Sequence, residues 1–475
     1  MKKGFDTYLV FILTGFVALL LYTSNDASDY IKVSYIITFY LGAKLIQDLG
    51  SKVPFANLVL FITAVQYLMS PALDYEYLGK YNPYFYMRIP QEQYFSYVLY
   101  AFLALWAGFS IPLSRKFKDI DFINALKKNP KMNAQIGINL IYVGFAANYL
   151  SRIITFPTAF NFMVSLLGLM RFIGILFVWL SDHKYRKWIL IGVMVEFTIY
   201  TMASAILIQL IILSIFLYSY YTLVNKPNKL KIVSLGIISL VLLFFVQSVK
   251  KDYRDLIWKK NVQSGNAGIF SDLLVDKIAT MNETNFWYTA ATVNLRLNQG
   301  WVMQLIMLNL PNRKPFLNGA VLEEEIVGIL LPRFILIDKV AVQTSDKFEK
   351  FVGYRLNGYT IAMGILGDGY GNFGIEGGMI FCFFVGLFFN FCIYLFYRIS
   401  QKTPSVYLWG IFIFFYLIRA GDDFYIIGNW IIKSSMMLAV VYFMYKSQLV
   451  TAYRKFSLRK RPAFAGSQLP LPTTQ

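Results

Sequence analysis

Long apolar runs alternate with short polar segments along most of the 475 residues. A helix needs about 20 mostly apolar residues to cross a hydrocarbon layer about 30 Å thick, and many of the runs have that length. They lack the strict apolar/polar alternation that a membrane β-barrel requires. The pattern predicts helices over about 6–24, 31–48, 54–71, 94–113, 134–151, 161–181, 188–204, 206–224, 232–248, 375–397, 405–420 and 428–446. No charged turn interrupts 188–224, so this stretch reads as a tight hairpin near 202–205, or as one helix with a re-entrant piece.

The polar segments carry the topology. Lys and Arg concentrate on one side: Lys2, Lys3, Lys52, the 115–131 segment, 184–187, 226–231, Arg398, Lys402 and the tail from Lys446. By the positive-inside rule this side is cytoplasmic, and both termini lie there. The other side receives Asp26, Asp29, the tyrosine-rich 75–94 stretch and the Arg419–Asp423 turn. The chain therefore divides into helices 1–9 (1–248), a large outer loop (249–374), helices 10–12 (375–446) and a partly disordered cytoplasmic tail (447–475). A long loop with structure of its own is usually functional. This one contains helix-like apolar windows at 272–279, 301–310 and 321–331, and between residues 250 and 359 it holds 14 Lys/Arg against 11 Asp/Glu. Lys250, Lys251 and Arg254 stand on the wrong side for a topology signal, so they need another reason.

Composition supports the same fold class, an all-α polytopic membrane protein. The chain is 57% hydrophobic and only 15% charged, against about 25% charged in ordinary soluble domains. Its net charge of +19 invites a nucleic-acid partner, but flanking Lys and Arg account for it, so the partner is the lipid bilayer. Cys382 and Cys392 share one apolar run; a helix holds them about 15 Å apart, too far to bridge. No small-residue cleavage site follows the first apolar run, which therefore reads as a transmembrane helix.

Three segments resemble motifs of the oligosaccharide repeat-unit polymerases (Wzy-type, O-antigen or exopolysaccharide polymerases). The first is Val249-Lys250-Lys251-Asp252-Tyr253-Arg254, directly after an apolar helix. The second is Leu331-Pro332-Arg333-Phe334-Ile335-Leu336-Ile337-Asp338-Lys339, similar to the family's Pro-Arg with a Lys six residues beyond the Arg. The third is Gly367-Asp368-Gly369-Tyr370-Gly371-Asn372-Phe373-Gly374, opening the next helix, similar to the family's Gly-acid-x-Tyr-x-Asn-Phe-Gly; relatives more often carry Glu at the Asp368 position. The resemblance covers about 250–395 in motifs and the whole chain in topology. It implies a fold like the membrane-embedded GT-C glycosyltransferases, about 12 transmembrane helices with one large structured periplasmic loop, in a bacterial inner membrane. The implied substrate is a polyprenyl-diphosphate-linked oligosaccharide. Whether a chain-length regulator or a flippase also binds is left open.

In the implied reaction the growing glycan leaves its lipid diphosphate for a sugar hydroxyl of a new repeat unit. Fixed cations aimed at the diphosphate stabilise the charge that develops there, and the planar fork of Arg suits phosphate oxygens. Candidates are Arg254, Arg296, Arg333, Arg355 and Arg419, with Lys250, Lys251 and Lys339 as point charges. With these, neither a metal nor another cofactor is expected. A carboxylate would orient or deprotonate the acceptor hydroxyl: Asp368 first, then Asp422 or Asp423. Arg254, Arg333 and Asp368 form the expected catalytic set, and Tyr253, Tyr370 and Asn372 join the substrate-binding one. Trp258, Trp287, Tyr288, Trp301 and Tyr370 offer aromatic faces to sugars.

Plainer readings accompany these. Single loop arginines are usually solvated, and the glycines of 367–374 serve a tight turn. Glu323, Glu324 and Glu325 read as a solvated run, and Asp119 and Asp121 as a balance for nearby lysines. Arg171 and Glu196, costly in lipid, should face the bundle interior, paired or lining a lipid path. The competing functions are a flippase or transporter of lipid-linked sugars, an O-antigen ligase and a structural subunit. The flippase lacks the repeated halves transporters commonly show. The ligase pattern uses an outer His, whereas the single His183 falls on the cytoplasmic side.

Overall fold

The computed structural model describes residues 2–24, 27–82, 86–154, 156, 158–204, 208–256, 267–330, 344–356, 361–419 and 421–459. Among the described residues there is no strand. In chain order the helices are α1 (Lys2–Ser24), α2 (Asp29–Asp48), α3 (Phe55–Tyr81), α4 (Gln91–Ser110), α5 (Asp119–Leu126), α6 (Pro130–Ile153), α7 (Thr158–Trp179), α8 (Arg186–Ser204), α9 (Ile208–Asn225) and α10 (Lys229–Arg254). Then follow α11 (Ala267–Ala279), α12 (Glu283–Leu297), α13 (Gly300–Asn309), α14 (Ala320–Leu330), α15 (Thr344–Val352), α16 (Gly364–Lys402) and α17 (Phe424–Arg459). Among the described residues, six stretches are long and apolar enough to cross a membrane: α3, 162–179 of α7, α9, 229–246 of α10, α16 and 424–444 of α17. The chain is thus an all-helical, multi-pass membrane protein.

Most predicted helices correspond to observed ones; a further helix forms at Asp119–Leu126, the last one runs on to Arg459, and three others differ in kind. The third runs on to Tyr81 through two π-turns, Val65–Met69 and Asp74–Leu78, so part of the tyrosine-rich stretch is helix. The tenth begins at Gly364, but Gly374 (φ 70°, ψ −154°) breaks it just before the predicted start at 375. A Cβ there would meet the Phe316 ring at 2.9 Å in a backbone region that favours glycine. The glycine-rich motif is therefore a short helix of its own ahead of the kink. The eleventh is not a continuous helix. Its residues form a 3₁₀ segment, Pro404–Trp409, and one α-turn, Gly410–Ile413, and 404–415 are buried throughout. That run is apolar because protein covers it. The 188–224 hairpin forms as α8 and α9.

Close backbone approach joins the bundle. α6 and α7 meet at Gly137 and Gly174, where a Cβ on Gly137 would lie 2.7 Å from the Gly174 carbonyl; small residues let membrane helices pack this tightly. Arg171 of α7 pairs with Glu196 of α8 at 3.5 Å, so these two ions do meet.

The three apolar windows of 249–374 lie in α11, α13 and α14, as expected. α13 is wedged into the bundle and mostly buried. Gln299 donates its N–H to the carbonyl of Gln66 in the π-turn of α3. The Gln304 side chain accepts from Arg88 N at 2.6 Å and donates to Tyr86 O at 2.9 Å. Asn309 Nδ2 donates to Phe351 O of α15 at 2.9 Å.

Candidate functional site

The chemistry that the structure gathers lies where α14 and α15 meet the first turns of α16 and α17. α15 is amphipathic, and 347, 348, 351 and 352 form its buried face. Lys347 is on that face with Phe348 and Phe351. α14 buries Val321, Glu325 and Ile329, spaced by four, while Glu323 and Glu324 face outward. Glu325 is therefore not part of a solvated run: helical periodicity turns it inward.

Four ionisable side chains converge there. The Lys347 ammonium contacts Glu325 Oε1 at 2.6 Å, Asp423 Oδ2 at 3.3 Å, and Asp368 Oδ1. All four side chains are at most 3% exposed. The two aspartates also cap each other's helices. Asp423 Oδ1 accepts from Met363 N (2.6 Å) and Gly364 N (2.9 Å) at the start of α16. Asp368 Oδ2 accepts from Phe424 N (2.9 Å) at the start of α17. Each carboxylate satisfies helix N–H groups that have no intrahelical partner and sits at the positive end of a helix dipole. Burial alone would lower the Lys347 ammonium, but the three carboxylates outweigh it and raise it, so the lysine is charged. Burial raises Glu325, which Lys347 offsets in part. Oxygens of Glu325, Asp368 and Asp423 all lie within 4.8 Å of one another, a donor set that would suit a cation; the lysine ammonium supplies one.

Beside this buried cluster lies a more open edge. Arg419 Nε pairs with Asp422 Oδ2 at 2.9 Å, and its guanidinium sits 4.6 Å from the Tyr416 ring centre. The Arg419 side chain is 29% exposed. Burial pushes the Asp422 carboxyl up to about 7, with Arg419 pulling it down less strongly.

The remaining expected residues scatter. Asp368 has no open path to solvent here, so the arrangement suits it to positioning rather than to touching an acceptor hydroxyl. Tyr370 is buried, donating to Leu310 O at 3.2 Å and packing on Tyr97 and Phe316. Asn372 is buried and donates to Asp368 O at 2.9 Å. Tyr253 is buried against Phe270 in a small cluster with Val249, a packing role that its spacing to the basic residues concealed. Arg355 is exposed and pairs with Asp346 (3.2 Å) and Glu349 (4.0 Å) on its own side of α15. Arg296 is exposed in the last turn of α12. Lys250, Lys251 and Arg254 lie on the last turns of α10, their side chains outside the described residues, and Arg333, Lys339 and Trp258 also fall outside them. The site thus keeps Asp368, Arg419 and Asp422 near one junction. Sequence reading missed Lys347 and Glu325, although each is a charged residue on the apolar stripe of its helix.

Comparison with models of known protein families, with curated proteins and with solved structures returns no match.

Proposed function

We propose that the protein is a glycosyltransferase that polymerises polyprenyl-diphosphate-linked oligosaccharide repeat units, at the periplasmic face of a bacterial inner membrane. In this reading the chain has a GT-C-like architecture of about 12 spans with both termini in the cytoplasm, and 249–374 is its outer loop. The observation that carries it is the Arg419–Asp422 pair: a partly exposed guanidinium beside a carboxyl that titrates near neutrality. The guanidinium suits the developing charge of a diphosphate leaving group. The carboxyl suits the proton of the acceptor hydroxyl, since a base works best with its pKa near the working pH. Support also comes from the motif segment Gly367–Gly374 and the folded loop helices meeting at this same junction. Asp422 takes the role of base expected first of Asp368, and Asp368 positions the start of α17.

The test supplies purified protein in detergent with synthetic polyprenyl-diphosphate repeat units and EDTA, and resolves the products by size. The expected result is a ladder of oligomers. Asp422→Asn should slow its growth by roughly 10²- to 10⁴-fold, and Arg419→Ala by roughly 100-fold. Absence of any ladder, with transbilayer movement of the same lipid in liposomes, would overturn the polymerase in favour of a flippase.

A further inference from the structure

The buried cluster poses a problem of charge that its geometry resolves. It brings three carboxylates against one ammonium, with every member nearly inaccessible to water. Each helix N-terminus contributes about half a positive charge, and two of them point here, at Met363–Gly364 and at Phe424. The positive side then totals about two charges and the negative side three. An uncompensated buried charge costs several kcal/mol, and a carboxyl escapes that cost by taking up a proton. The three carboxylates also approach within 4.8 Å of one another, a spacing at which like charges do not all persist.

The partners of each oxygen identify where the proton goes. Asp423 and Asp368 accept backbone N–H groups as well as facing the ammonium. Glu325 has Lys347 alone: its Oε2, on a side chain 1% exposed, meets no donor, whereas Asp368 Oδ1, which also lacks a hydrogen-bond donor, lies against the ammonium. A buried carboxylate with the fewest donors is the least stabilised as an anion, so it gains most from taking up a proton. We propose that the cluster binds one proton at neutral pH, on Glu325, and that this proton is a condition for α14 and α15 to dock on the N-termini of α16 and α17.

The groups facing Glu325 are consistent with this assignment. From α15 comes Lys347; from the starts of α16 and α17 come Asp368 and Asp423. Glu324 on its own helix adds negative charge and is partly neutralised at the surface by Lys350 at 3.3 Å. From α3, Tyr67 donates its OH to Met363 O at 3.4 Å beside the two aspartates. Asp422 is turned to Arg419. Burial raises Glu325, in agreement with the charge count. The sign follows by linkage. The docked form binds the proton more tightly than the undocked one, so docking is complete at low pH and weakens as pH rises through the docked-state value. The site is independent of the polymerase reading, because it concerns only how the segment is held.

Infrared spectroscopy of the full-length protein in detergent tests it, at pH about 8, above the values to which burial moves Asp119 and Asp422. The wild type should show the carbonyl stretch of a protonated carboxyl, shifted in D2O, and Glu325→Gln should remove it while Asp422→Asn leaves it. Lys347→Met takes away one positive charge and should about double the band; if this variant does not fold, the wild type and Glu325→Gln still decide. Limited proteolysis gives the docking arm. Cleavage within 320–352 should rise by up to about tenfold per pH unit in the wild type and stay flat in Glu325→Gln. A band that survives Glu325→Gln, no band in the wild type, or cleavage that does not depend on pH would each overturn the proposal.

Discussion

The two ends of α16 each bury an aspartate, and they solve the same problem differently. Near its start, Asp368 faces a lysine and the N–H of Phe424. Near its end, Tyr397 donates to Asp119 Oδ2 at 3.1 Å, joined by Tyr407 OH at 2.6 Å and Val53 N at 2.7 Å. The first end uses an opposite charge and helix dipoles; the second uses neutral donors only in direct contact. Neutral donors stabilise an anion less than a cation does; at Asp119, burial pushes the carboxyl up to about 6 against the pull of Tyr407. An ammonium joins elements strongly but demands charge balance, whereas phenols join them without that demand. The end that carries the loop helices is therefore the one whose assembly depends on a proton count. The end around α5 is a polar knot within an aromatic core.

Breaking the charged end should cost most. Lys347→Met leaves three carboxylates without their cation, and loss of one partner from a buried ionic cluster costs about 3–5 kcal/mol. Thermal unfolding in detergent reads this as a large drop in Tm. Unchanged Tm would mean the cluster does not hold the loop helices. The neutral end is read best through pH. Asp119 rises from 3.8 to about 6, so its contribution is full below about 4 and is lost as pH rises to about 6. Two pKa units correspond to about 3 kcal/mol. Chemical denaturation across that window should show the loss in wild type and not in Asp119→Asn; equal slopes would show that the phenols hold the anion as well as water does. The smallest effect belongs to the surface. Lys350→Ala removes the exposed pair with Glu324 (3.3 Å) and should change stability by under about 1 kcal/mol. A larger change would move the junction's strength from its core to its rim.

The lysine, rather than an arginine, is what made the cluster hard to read beforehand. A short acidic run such as Glu323–Glu325 looks solvated by composition, and only the four-residue spacing of Val321, Glu325 and Ile329 reveals that one of its members points inward. Lys347 likewise sits in the polar-looking segment Thr344–Val352, yet shares a face with Phe348 and Phe351. Asp119 reads as a balance for lysines because its neighbours in the chain are basic; its partners, at positions 53, 397 and 407, are far away in sequence.

The chain by itself determined the helical membrane class, the places of most of its helices and the presence of structured helices within 249–374. These depend on local quantities: the length of apolar runs and helical periodicity. Tertiary structure alone decided that the 404–415 run is buried core rather than a continuous helix, that Tyr253 and Tyr370 pack rather than project, and that Glu325, Lys347, Asp368 and Asp423 form one cluster. Those outcomes depend on which distant surfaces meet. Burial of a charge is set by its partners across space, and spacing along the chain does not encode them.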